Sequence, residues 1–193
     1  MNGFVAIDFE TANERRASAC SIGLARFAPT GELLETFSTL IMPHTLMNYF
    51  SPRNVLVHGI TPADVAGAPS WEEVFPKFQA FVGSTPLVAH NMAFDGYVLS
   101  DLGKLYELPE VNNRRFCTVR LARKLLAGEL RSATLDSVFN WYFPGESFQH
   151  HDASADAVAA GRIFARMLQE HPLSEIEQHC PSTNATRRVR GII

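Results

Sequence analysis

Cysteine is scarce in this sequence and badly placed for cross-linking. Cys20, Cys117 and Cys180 are odd in number and far apart, with no Cys-x-x-Cys pair. That argues against a disulfide framework or a thiolate zinc site and points to a reducing compartment, the cytoplasm. Also missing is any apolar run long enough to cross a bilayer, or a basic-then-apolar leader at the N-terminus, so no membrane partner is expected. Positive charge is not in excess either: 17 Lys and Arg against 20 Asp and Glu leave a net charge of −3. A protein that coats nucleic acid nonspecifically would be basic. If this chain handles phosphates, the attraction must be local, through bound cations or clustered arginines.

What is present suffices for one substantial core: 193 residues, 46% of them hydrophobic, fit a single domain with a tail. The apolar run Phe4–Ile7 reads as a buried strand. Ser18–Phe27 and Leu33–Ile41 are two more strand candidates, joined by the turn signal Pro29-Thr30-Gly31-Glu32. Pro43 and Pro52 break the pattern between Met42 and Asn54 into an irregular stretch. Thr61 with Pro62 marks a helix start, and Ser70 with Glu73 is a capping box opening a helix over Trp71–Val82. Pro86–Ala89 is a short strand, Phe94–Tyr106 a helix by its apolar spacing, and Arg115–Thr118 another strand. Val119–Leu126, Leu135–Tyr142 capped by Thr134, and the alanine-rich Ala153–Leu168 read as helices. Three strands followed by helix–strand alternation give a mixed α/β sheet. The expected domain covers residues 1–172. Residues 173–193, with Arg187, Arg188 and Arg190, form a C-terminal extension expected to be mobile.

Acidic residues fall at the ends of these elements. Asp8 and Glu10, two apart on an extended strand, point the same way. Burying two like charges is costly, and a hard cation between them removes the cost; a solvated strand end is the plainer account. Asp95 begins a helix directly after a strand, where ligands collect in open α/β sheets, although it also complements the helix dipole. Asp156 stands near the start of the alanine-rich helix, with His150 and His151 just before it. A histidine beside a buried carboxylate suits a general base. If a mixed sheet gathers Asp8, Glu10, Asp95 and Asp156, two divalent cations would neutralise them, an arrangement suited to attack at a phosphodiester.

Three motifs in order, Asp8-Phe9-Glu10, His90-Asn91-Met92-Ala93-Phe94-Asp95 and His151-Asp152-Ala153-Ser154-Ala155-Asp156, resemble the DEDDh 3′–5′ exonucleases over Phe4–Leu168. That family includes the proofreading subunit of the bacterial replicative polymerase, ribonuclease T and oligoribonuclease. The sister group with a tyrosine four residues before the last acid does not fit, because that position is Asp152. The resemblance implies a ribonuclease-H-like mixed five-stranded sheet, three antiparallel strands first, with helices on both faces. It implies two Mg2+ or Mn2+ ions on Asp8, Glu10, Asp95 and Asp156, with Asp8 bridging, and release of nucleoside 5′-monophosphates. His151 holds the motif position for the base, and His150 is expected to be an ordinary loop residue. Thr11, Ala12, His90 and Asn91 are implied on the substrate side. The partner is nucleic acid with a free 3′ end. His58-Gly59-Ile60-Thr61 resembles the proofreading branch, favouring single-stranded DNA over RNA, and a polymerase or a second copy of the chain are further candidate partners. An RNA-directed enzyme of the same family and a silent nucleic-acid-binding module stay open as alternatives.

Overall fold

A computed structural model describes residues 1–181. The first strand, β1 (Phe4–Thr11), pairs antiparallel with β2 (Ala19–Phe27), which pairs antiparallel with β3 (Leu33–Leu40). On the other side of β1, β4 (Leu87–Ala89) and then β5 (Arg115–Cys117) add in parallel, giving the order β3-β2-β1-β4-β5. β1 is therefore the centre of the sheet. The β2–β3 turn closes with Ala28 donating to Glu32 O, and Gly31 supplies the left-handed φ of 88° that it needs.

Helices cover both faces, because β1 and its neighbours are apolar on both. On one face, Val5, Ile7 and Phe9 pack under α3 (Trp71–Val82) and α4 (Met92–Leu105) through Trp71, Phe78, Val98 and Leu102. The Ser70–Glu73 capping box forms at the start of α3. On the other, Phe4, Ala6 and Phe27 meet α5 (Thr118–Leu125), α6 (Leu135–Tyr142) and α7 (Ala153–Glu170). Phe4 stacks on Phe27 at 5.0 Å and meets the edge of Phe164 at 4.9 Å. Each such fully buried ring contributes about 1.5–3 kcal/mol. The alanines of α7 let it lie close on the sheet: Ala157, Ala159 and Ala160 are buried, and Gly161 sits against the ring of Phe27, which a Cβ there would meet at 2.1 Å.

Two stretches differ from the sequence expectation. The stretch expected to be irregular, Met42–Asn54, runs into a helix, α1 (Pro52–His58); Pro52 occupies its first turn after Ser51, where the missing N–H costs nothing. A short α2 (Pro62–Val65) follows, with Thr61 and Asp64 forming a capping box. At the other end, chain packing continues past residue 172. Leu173–His179 is a helix, α8, and Ile176 and Cys180 are buried against the α7 face. Thr183–Ile193 lies outside the described residues. All three cysteines are free, and no helix among the described residues is long and apolar enough to cross a membrane.

Candidate active site

β1 positions the first two acids. Its alternation sends Phe4, Ala6, Asp8 and Glu10 toward α7. Asp156 enters from the first turn of α7, whose N-cap is Asp152, accepting from the Ala155 N–H at 2.9 Å. One carboxylate oxygen each of Asp8, Glu10 and Asp156 lies within 4.8 Å of the others. Asp95, in the first turn of α4, is 1% exposed and accepts from the Phe9 N–H at 3.1 Å. That bond pins it beside Asp8 from the opposite side of β1.

The electrostatics follow from this crowding. Burial pushes the Asp8 carboxyl well above the usual carboxylate range, and repulsion from Asp95, Asp156 and Glu10 adds to it. Burial, then Asp156 and Asp95, push Glu10 up to about 8. Asp95 is pushed up to about 8 by burial, against the opposing hydrogen bond from Phe9. Asp156 is raised by burial, with the His150 hydrogen bond opposing. These hard oxygen donors, mutually repelling and partly protonated on their own, are the set a divalent cation would bind and relieve. The residues present fit the metal that the motifs imply.

The histidines are arranged differently from expectation. His150 is no ordinary loop residue: its Nδ1–H donates to both oxygens of Asp156, at 2.9 and 3.0 Å, and its Nε2 is 3.6 Å from Asp136. Motif position alone favours His151, and no spacing in the sequence signals that the neighbouring ring reaches the carboxylate. His151 is exposed, with a left-handed φ of 66°. Its backbone N–H donates to Asp156 Oδ2 at 3.2 Å, and its ring stacks on His150 at 4.0 Å.

The four residues expected on the substrate side fare unequally. Asn91, left-handed at φ 85° and exposed, lines the cleft with a side chain that caps nothing. His90 lines it too, but both ring nitrogens are used: Nε2–H donates to Ala133 O, and Nδ1 accepts from the Thr118 hydroxyl, each at 2.9 Å. Burial lowers its pKa to about 4, so it ties the loop before α6 to α5. Thr11 O accepts from Asn54 at 2.8 Å and lies 3.1 Å from His58 Nε2. Ala12 donates to Ser18 O and accepts from the Ser51 N–H. These backbone groups hold α1 against the end of β1.

One residue the sequence reading passed over sets the spacing. Gly23 stands opposite Asp8 in the β1–β2 register. A Cβ there would fall 2.0 Å from the carbonyl oxygen of Ala153, three residues before Asp156. An isolated glycine inside a strand is a sign of such close backbone approach.

The family model for RNase T exonucleases matches residues 5–164. DNA polymerase III subunit epsilon of Aquifex aeolicus is 33% identical over 169 residues, covering 86% of this chain and 81% of that one. A PolC-type DNA polymerase III of Clostridium perfringens is 33% identical over 185 residues, which are 90% of this chain and only 12% of that protein. The nuclease domain of 3′hExo, a DEDDh family member solved with bound rAMP, shares the fold with a TM-score of 0.74 at 18% identity, over 88% of this chain and 92% of that one. A family model that spans most of the chain and a relative one third identical over most of both proteins show that this chain belongs to the RNase T family of exonucleases.

Proposed function

We propose that this enzyme hydrolyses the terminal phosphodiester at nucleic-acid 3′ ends, releasing nucleoside 5′-monophosphates, with single-stranded DNA preferred to RNA. The observation that carries the reading is the convergence of Asp8, Glu10 and Asp156 oxygens within 4.8 Å, with Asp95 hydrogen-bonded to the backbone N–H of Phe9 between the two β1 acids. Two divalent cations, Mg2+ or Mn2+, which Asp8, Glu10, Asp95 and Asp156 would hold, would supply polarisation of the phosphate and acidification of the attacking water. His151 accepts the proton of the attacking water on a ring nitrogen. Its exposed ring makes no hydrogen bond among the described residues, and imidazole suits transfer near neutral pH. His150, through Nδ1–H, and the His151 backbone N–H together fix the orientation of Asp156. Asn91 donates toward the phosphate from the cleft rim.

The DNA preference is supported by the names of the Aquifex and Clostridium relatives, which also support a polymerase as partner. Digestion of end-labelled single-stranded DNA, duplex DNA and short RNA, each with Mg2+, Mn2+ or EDTA, tests all parts together. The expected result is stepwise 3′-end loss of 5′-mononucleotides, metal-dependent and fastest on single-stranded DNA. Internal cuts or metal-independent loss would overturn the mechanism, and faster loss from RNA would reassign the substrate.

A further inference from the structure

Arg123 has no task in the hydrolytic scheme, yet it faces the site. It lies on α5 one turn after Val119, and the two line a cleft of about 440 Å3 with Asp8, Asn91, Ser132, Thr134 and Asp156. Leu121 and Ala122 of the same helix are buried in the core, so the Val119–Arg123 stripe is held toward the opening. The guanidinium is close enough to His90 to oppose protonation of that ring.

Among the described residues Arg123 makes no ion pair, whereas Arg26, Arg162 and Arg166 pair with Glu35, Glu146 and Glu170. Nor does it lie over an aromatic ring, as Arg16 and Arg114 lie over Tyr97 and Phe116. It is also the sole Lys or Arg lining that cleft among the described residues. A nucleic-acid strand entering here meets carboxylates on one wall, and a net charge of −3 gives no general attraction. A cation on the facing wall offsets the repulsion, and a guanidinium fork matches phosphate oxygens in shape.

We propose that Arg123 is a phosphate-binding residue, gripping one backbone phosphate of the bound strand from the α5 wall while the Asp8–Asp156 wall meets the scissile one. The proposal rests on the nuclease reading and adds to it the side from which the strand is held.

Anisotropy of a 5′-labelled single-stranded oligodeoxynucleotide, titrated with the full chain in EDTA across a range of salt, reads the grip without catalysis. Arg123→Gln should weaken binding about ten-fold at low salt, and the slope of log Kd against log salt should fall by about 0.7, the value of one single-strand phosphate contact. Arg123→Lys should recover part of the affinity by keeping charge without the fork. Arg166→Gln, which breaks a surface pair on α7, should stay within about two-fold. With Mg2+ present, the Arg123→Gln defect should appear in KM for the oligonucleotide rather than in kcat. Unchanged affinity and salt slope in a folded Arg123→Gln, or a wild type that binds no oligonucleotide, would overturn the assignment. Arg123-dependent binding without any cleavage by the wild type would instead overturn the hydrolytic reading and leave the grip standing.

Discussion

On the face of β1 toward α3 and α4, Val5, Ile7 and Phe9 stay apolar to the strand's end. On the face toward α7, Phe4 and Ala6 give way to Asp8 and Glu10. Strand and sheet are shared, and Asp8 and Glu10 differ from Ile7 and Phe9 in being charged and only partly buried. The first face is in its best state as it stands. The second concentrates repelling carboxylates beneath a helix, and in the proposed mechanism it is bound cations that would complete its chemistry.

The sharpest test is to exchange the acid. Asp8→Asn should lower kcat by about 10³-fold or more, roughly 4 kcal/mol, yet raise the melting temperature of the metal-free protein at pH 8, because one buried charge is gone. A lower melting temperature would mean that Asp8 holds the fold together. Ile7→Ala, one residue away on the other face, should do the reverse: a loss of about 2–5 kcal/mol in stability, with kcat kept wherever the protein is folded, as read by urea titration and assay below the midpoint.

His151→Ala should reduce kcat by about 10²-fold, and more than His150→Ala, whose expected loss is carried by weaker metal binding. The opposite ranking would hand the base to His150.

Metal and pH probe the second face without mutation. In the metal-free native state Glu10 and Asp95 hold protons up to about pH 8, whereas unfolded carboxyls release them near pH 4. The native state thus binds more protons across that interval, so its stability should fall as pH rises through it. Mg2+ at about one hundred times its Kd should stabilise by about 2.7 kcal/mol and produce a larger rise in melting temperature at pH 8 than at pH 6. Equal shifts at both would count against the carboxylate cluster. Gly23→Ala would set a methyl 2.0 Å from the Ala153 carbonyl oxygen and should cost at least about 1–3 kcal/mol of stability through overpacking, with weaker Mg2+ binding seen by calorimetry although every ligand is intact.

Much of this was legible in the residues. Alternation on β1 told which way Asp8 and Glu10 face, and the Ser70–Glu73 box marked the start of α3. Pro52 misled, because proline reads as a breaker unless the first turn of a helix is considered. Pro172 misled similarly: the Ile176–Cys180 spacing behind it is a helical pair that reaches the core. The His150–Asp156 bond depends on a loop conformation that no spacing encodes. Nothing in the spacing of α5 distinguishes Arg123 from an ordinary surface cation, and the packing of Leu121 and Ala122 fixes the direction it faces.

Position 23 carries a lesson for judging relatives by their acids. A methyl group inserted there would act as a shim, prising the alanine-rich helix off the sheet and lifting the last carboxylate from its companions without touching a single charged atom. A chain could therefore keep every acid and both histidines, pass a roll-call of reactive residues, and still be idle. Its silence would trace to bulk where this protein has only hydrogen.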